Sequence, residues 1–400
     1  MIARNQNKNY LPLDLDSGED ARIIATRYFT VTNDEAVVLI LMESLLRKTL
    51  PVVSEVAWNT FGFTIEDNHI TGLGLYKMRL VSLPSIIKRL SNLRGLFVSF
   101  NRLKSLPEAI GDLNQLEVLD LSWNRLTSLP EAIGKLSYLE ILRLYNNKLS
   151  MLPMNIGYLA NLKFLELQHN KLQSLPETIY QLSDLQSLTL GGNQLKSLPE
   201  SFGHLQNLHT LDLRLNQLTT LPEAIGNLKY LRKLVLEENQ LTTLPEAIGT
   251  LKNLRILTLR DNELAGLPET FFQLTKLQSL NLGGNNMSSL SATVGNLTNL
   301  KELFLAFSQV DSLPETIGNL TNLQDIQLYS NQLTTLPVSF GQLQNVESLD
   351  LRWNQIMSLP ACLTALPKLR YLDLRYNDLL GEKAGKYNNR EEVQEALTRS

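Results

Sequence analysis

The sequence predicts an α/β repeat: a curved solenoid with a parallel β-sheet on its concave face and short helical or 3₁₀ segments on its convex face. An α/β N-terminal cap and a C-terminal capping helix close its ends. Three observations predict this. A 23-residue phrase, stated most plainly by residues 208–230 (LHTLDLRLNQLTTLPEAIGNLKY), recurs through fourteen units without an insertion, and a fixed period outranks any local propensity. One polar slot recurs with it, as Asn101, Asn124, Asn147, Asn170, Asn193, Asn216, Asn239, Asn262, Asn285, Asn331, Asn354 and Asn377, broken by Ser308 and, in a degenerate first copy, by Met78. Leucines keep a constant L-x-x-L-x-L-x-x-N-x-L spacing around that slot.

Within the Asn216 unit, Leu211 and Leu213 alternate as in a short strand with one buried face. Asn216 follows where the strand ends, a polar residue tolerable inside only if its amide serves backbone groups of its own and adjacent coils. Leu218 and Leu221 return to the core. Pro222 suits the start of a helical turn, Gly226 its stop, and Ile225 and Leu228 point inward. No unit can bury its leucines alone; stacked neighbours can.

In chain order, residues 1–69 read as a tail and cap, 70–380 as the solenoid and 381–400 as a closing segment. Residues 1–18 are polar and without period, and read as loose. Thr32-Asn-Asp-Glu35 is a capping-box pattern. It opens a helix from about 33 to 48 whose apolar face is Val37, Val38, Ile40, Leu41, Leu45 and Leu46. Residues 52–56 and 61–65 read as two short strands, and Asp67-Asn68 as the turn into the first repeat. After Leu379 the phrase fails, with Glu382 and Lys383 in the leucine and proline slots. Residues 389–399 read as an amphipathic helix with Val393 and Leu397 one turn apart. The phrase is also corrupted at Met287, Ser291, Val294, Ser308 and Val310. Serine is shorter than asparagine, so the internal hydrogen-bond row should be interrupted or water-bridged at Ser308.

Composition narrows function. With 37 Lys and Arg against 40 Asp and Glu, the formal net charge is −3, so no global basic field argues for nucleic acid or an anionic membrane. The lone Cys362 excludes an internal disulfide framework, fits a reducing compartment and reads as a small buried apolar residue. No secretory h-region is present, and the longest uncharged apolar run, residues 36–42, is too short to span a bilayer. The expected location is cytoplasmic, and the sequons at Asn286, Asn296 and Asn319 read as products of the repeat. The four histidines, His69, His169, His204 and His209, do not gather at metal-ligand spacing. Gly72-x-Gly74 lacks the rest of a dinucleotide fingerprint, and Gly191-Gly192 and Gly283-Gly284 each precede a repeat asparagine. The Pro-Glu pairs read as outer-surface punctuation. No nucleophile comes with a base, so neither enzyme nor cofactor is expected.

What remains is the variable exposed positions: six, four, two and one before the asparagine slot, and one after it, should project from the concave face. The first repeats supply Tyr76, Phe97, Phe100, Trp123, Tyr145 and Phe164; the last supply Phe304, Phe307, Tyr329, Trp353, Tyr371 and Tyr376. Lys77, Arg79, Arg102, Arg125, Arg143, Lys148 and Lys171, against Asp120 and Glu166, make the first end basic. From the Asn193 unit onward Arg214, Lys233, Arg260, Arg352 and Arg375 stand against Asp212, Glu237, Glu238, Asp261, Glu263, Glu302, Asp325, Asp350, Asp373 and Asp378, so the other end reads as acidic. Aromatics flanked by arginine are the usual composition of binding hot spots.

The 23-residue unit with its x-L-P-x-x-I-G-x-L outer segment resembles the Ras-group class of the leucine-rich repeat family, which includes Ras-suppressor and Scribble-like scaffolds, and is similar to many prokaryotic and archaeal repeat proteins. The resemblance implies a non-catalytic module that binds a protein partner on its concave face. Small GTPases are among the partners of eukaryotic members, hence a scaffold in signalling. Two alternatives stay open: self-association of basic on acidic ends, and nucleic-acid binding by the basic-aromatic half, which the overall charge disfavours. No membrane association is expected.

Overall fold

Each phrase closes one coil, because its leucines can leave water only against those of the coils on either side. The computed structural model describes residues 30–377, 380 and 384–398. The expectations for residues 1–18, Asp378, Leu379, Glu382 and Lys383 lie outside that set. Among the described residues, sixteen strands follow one another in sequence order in a single sheet. β1 (Phe61–Glu66) pairs antiparallel with β2 (His69–Leu75). From β3 (Gly95–Phe97) to β15 (Tyr371–Asp373) the strands are three residues long, parallel and in register, with Leu211 opposite Leu234. β16 (Lys386–Tyr387) returns antiparallel onto β15.

The asparagine slot works as a ladder. Asn216 donates from Nδ2 to the carbonyls of Leu190 at 3.1 Å and Leu213 at 2.9 Å, and its Oδ1 accepts from Leu195 N–H at 3.0 Å. One amide therefore satisfies its own coil and the one before it. At Ser308 the row is interrupted on one side only. The hydroxyl still reaches Leu282 O at 3.1 Å, but serine has no second arm to accept from the preceding coil. In both coils that lack the asparagine, the following residue, Arg79 or Gln309, turns left-handed with φ of 59° or 63°. Ser291, in a proline slot, compensates by accepting from Thr293 N–H at 3.3 Å.

On the convex side each coil from the first to that of Asn354 carries a five-residue 3₁₀ turn, such as Glu223–Asn227, with Pro222 immediately before it. Gly226 does not stop this turn but lies inside it. A Cβ there would meet the Ala247 methyl and carbonyl of the next coil at 2.7 Å, so the glycine permits close stacking. Where glutamate follows the proline it does more than punctuate. Glu223 accepts from Ala247 N–H at 3.0 Å, Glu200 from Ala224 N–H at 2.9 Å, and Glu315 from Ser339 N–H at 3.0 Å. Each carboxylate thus caps the orphan amides of the following turn.

The Ser339 side chain, then the Ser339 and Val338 amides, hold the Glu315 carboxyl below its usual range. A depressed folded pKa contributes stability above the unfolded value of about 4.3, lost as pH falls through the folded value. Glu315→Gln should therefore lower Tm at pH 7 and match wild type near pH 2.5. A Tm difference independent of pH would exclude the capping role.

At the N-terminus, α1 (Asn33–Leu46) begins with the expected capping box between Thr32 and Glu35. Its buried face is Ala36, Val38, Leu39 and Met42, whereas Leu45 is exposed. Glu35, itself buried, accepts from Ile70 N–H at 3.2 Å and ties the helix to β2. Residues 52–56 do not form the expected strand; only Val52 bridges to Phe63. At the far end α2 (Arg390–Thr398) buries Val393 and Leu397. Cys362 is half-buried rather than buried, and burial pushes its thiol pKa up. No helix among the described residues is long and apolar enough to cross a membrane.

Candidate functional site

The turn that ends each strand forces the residue before the asparagine slot into the left-handed region, with φ between 52° and 68° in every coil from Phe100 to Tyr376. Glycine, asparagine and aspartate are the residues suited to that conformation. Gly192, Gly284, Asn146 and Asp261 meet the expectation, but Phe100, Trp123, Phe307, Trp353 and Tyr376 occupy the same position, as do His169, Leu215, Glu238 and Ser330. A bulky side chain there is strained by a conformation that the repeat turn imposes in every coil.

These rings form two rows. At the first end Tyr76 meets Phe100 edge-on at 5.3 Å, and Phe100 stacks on Trp123 at 4.8 Å. Trp58 extends the row, meeting Tyr76 at 5.9 Å. No repeat signal could have found Trp58, because it lies in the cap. At the other end Phe307 meets Tyr329 at 5.3 Å, and Trp353 stacks on Tyr376 at 3.9 Å. Trp123 remains 45% exposed, Phe307 60% and Trp353 54%, so stacking leaves much of each ring to solvent. Phe164 is also exposed, while Phe304 and Tyr371 are half-buried on the strands and Tyr145 is half-buried just past one.

Phe97 departs from the expectation. It is 8% exposed and faces the cap segment, where Val52, Val56 and Phe97 line a common hollow. Gly72 and Gly74 explain the approach: a Cβ on Gly72 would lie 2.3 Å from Val56 Cγ2, and one on Gly74 2.6 Å from Thr60 O. The glycine pair thus clears the first strands for the cap, and Phe97 is a core residue rather than a contact residue.

Charge is also redistributed. Asp212, Asp350 and Asp373 are each bonded by the arginine two residues on, from Arg214 at 2.6 Å, Arg352 at 2.7 Å and Arg375 at 2.7 Å. Arg352 also packs over the Tyr329 ring at 5.1 Å. Three carboxylates of the far half are therefore neutralised by their own arginines, while Glu302 and Asp325 carry no ion pair among the described residues, so this half is less acidic than the sequence reads and docking of basic on acidic ends is weakened. Exposed carboxylates stand in the middle at Glu238 and Glu263, and at the start of the far aromatic row at Glu302. Burial raises the Asp325 carboxyl above its usual range, and the Asp120 carboxyl likewise. At the first end Arg143 is half-buried and pairs with Glu166 at 3.3 Å, whereas Arg102 and Arg125 are exposed and carry no ion pair among the described residues.

Between the rows, the missing side chain of Gly191 leaves a cleft of about 410 Å³ bordered by Tyr145, Glu166, Gln168, His169 and Arg214. Among the described residues no group of three His, Cys, Asp or Glu side chains could hold a metal ion. What the face offers chemically is stacking surface, guanidinium groups and polar rungs.

Comparison with known proteins agrees with this architecture. Residues 153–238 and 223–313 match a family model described as leucine-rich repeat region, and residues 65–126, 298–356 and 337–379 one described as leucine rich repeat. Among solved structures, a leucine-rich repeat protein of Leptospira interrogans is 36% identical, with a TM-score of 0.66 over 77% of this chain and 84% of that one. The plant peptide hormone receptor RGFR1, in complex with RGF2, is 27% identical (TM-score 0.63) over 78% of this chain and 55% of that one. PEPR1, crystallised with AtPEP1, is 29% identical (TM-score 0.71) over 84% of this chain and 51% of that one. The chain thus spans about half the length of these receptor structures. No curated protein matches it in sequence.

Proposed function

This chain belongs to the leucine-rich repeat family, and from that premise we propose that it is a non-catalytic module that binds a protein partner on its concave face. The observation that carries the proposal is the placing of large aromatics in left-handed positions. Each such residue strains the backbone by of order 1–3 kcal/mol, while exposing ring surface of the kind that anchors interfaces. The sheet supports it in scale: fourteen strands at ~4.8 Å give a face of ~60 Å, ample for a standard interface. Two similar structures hold bound peptides, in keeping with this reading. The proposed contacts are Tyr76, Phe100, Arg102, Trp123, Arg125, Arg143, Tyr145 and Phe164 at one end. At the other they are Phe304, Phe307, Tyr329, Arg352, Trp353, Tyr371 and Tyr376. The proposed setting is the cytoplasm, and small GTPases, suggested by the Ras-group resemblance, form the first panel of candidate partners in a signalling scaffold.

Affinity capture from the native host, comparing wild type with a Trp123→Ala/Trp353→Ala variant, tests the proposal. Each substitution should weaken a captured partner by about 2 kcal/mol, with Tm nearly unchanged, because neither ring belongs to the leucine core. Equal capture by both proteins would overturn the concave-face reading.

A further inference from the structure

One slot changes its chemistry abruptly along the solenoid. The residue after the asparagine slot is Arg79, Arg102, Arg125, Lys148 and Lys171 in five consecutive coils, then Gln194, Gln217 and Gln240 in the next three. All five cations are exposed and none forms an ion pair among the described residues. We propose that these five cations form a docking ladder for an extended acidic segment of the protein partner. The inference rests on the concave-face reading and specifies the chemistry of what docks there.

Backbone geometry makes the row regular. Arg102 N–H donates to Leu80 O at 2.8 Å, Arg125 N–H to Leu103 O at 2.9 Å, Lys148 N–H to Leu126 O at 2.9 Å and Lys171 N–H to Leu149 O at 2.8 Å. These four cations are thus each fixed one coil beyond the last, Arg79 precedes them on its left-handed turn, and four intervals of ~4.8 Å give a row of ~20 Å. An extended peptide rising ~3.4 Å per residue covers that length with about six residues. Like charges held one coil apart repel one another, and a row of carboxylates relieves the repulsion. Phe100 and Trp123 flank the same coils two residues away, so apolar side chains alternating with the acidic ones have rings to meet.

The ladder's end argues for a short acidic peptide over a long polyanion. Glutamines follow Lys171, and exposed Glu238 and Glu263 stand on the path a nucleic-acid strand would continue along. Such a strand would meet repulsion there after the cations end.

The test uses the full chain and a dye-labelled octapeptide of alternating glutamate and tyrosine, read by fluorescence anisotropy. An Arg102→Gln/Arg125→Gln/Lys148→Gln variant is the comparison, because glutamine natively fills this slot in the following coils and the backbone bonds do not involve the side chains. Wild type should bind the peptide at least 10-fold tighter than the variant, and affinity should fall steeply as salt rises from 0.05 to about 0.5 M. Equal binding by the two proteins, binding insensitive to salt, or no binding by wild type would overturn the ladder. Equal binding of a lysine–tyrosine octapeptide would assign the contact to the rings alone, and tighter binding of a 15-nucleotide oligothymidylate would assign it to nucleic acid; either overturns the proposal. If a partner lost by the Trp123→Ala/Trp353→Ala variant is retained by the glutamine variant, the ladder falls and the concave-face reading stands.

Discussion

Asn216→Asp should lower the unfolding free energy at pH 7 by about 3–5 kcal/mol, the cost of an uncompensated charge inside, against about 1–3 kcal/mol for Asn216→Ala. The two side chains have the same shape, so the difference is electrical. Asn216 Nδ2 donates to three carbonyls, those of Leu190, Leu213 and Arg214. A carboxylate would set an anionic oxygen against all three, with water excluded. Alanine only orphans them, together with the Leu195 N–H. Burial and the carbonyls would raise the pKa of the new carboxyl in the folded state. Because folding then favours the protonated form, the defect should be full at neutral pH and shrink as pH falls through the raised folded value. Urea titrations at pH 7 and pH 5 check both claims. An aspartate variant no worse than alanine at pH 7 would mean that the asparagine row is wet.

That row is legible in the sequence because its cause lies within a single coil: an asparagine that recurs beside core leucines must serve the backbone around it. The short strands, the outer turns and the Thr32–Glu35 cap are readable for the same local reason. What escapes a reading of the sequence depends on residues one period or more away. Gly226 reads as a stop signal because its own unit gives no hint of Ala247 behind it. The glutamate after Pro222 reads as surface for the same reason, although its hydrogen bond runs to the next coil. Phe97 and Trp58 exchange roles, the one buried and the other added to the aromatic row, because both answers depend on where the cap crosses the sheet. The cap has no period to extrapolate. Asp212, Asp350 and Asp373 read only as part of an acidic half although each has its arginine two residues on; alternation puts both on one face, and only the geometry joins them.

The inter-coil glycines lead to the second large effect. Gly249→Val should destabilise the protein by about 3 kcal/mol or more, the upper end of what overpacking costs, while Gly266→Val should be nearly neutral. A Cβ on Gly249 would lie 2.1 Å from the Thr270 carbonyl oxygen and 2.8 Å from Thr270 Cβ. The obstacle is the backbone of the next outer turn, so no rotamer change can relieve it. Relief requires the coils to separate on the convex side, which would stretch the bond from the Thr270 hydroxyl to Glu246 O, now 2.6 Å. A Cβ on Gly266 would meet nothing within 4 Å, so that position controls for the loss of glycine itself. Because coils are coupled to their neighbours, a strained step at one interface should lower the cooperativity of unfolding as well as its midpoint. Thermal melts followed by circular dichroism would show a lower, broader transition for Gly249→Val alone. Equal Tm values for the two variants would mean that the convex turns are spaced more loosely than these contacts require.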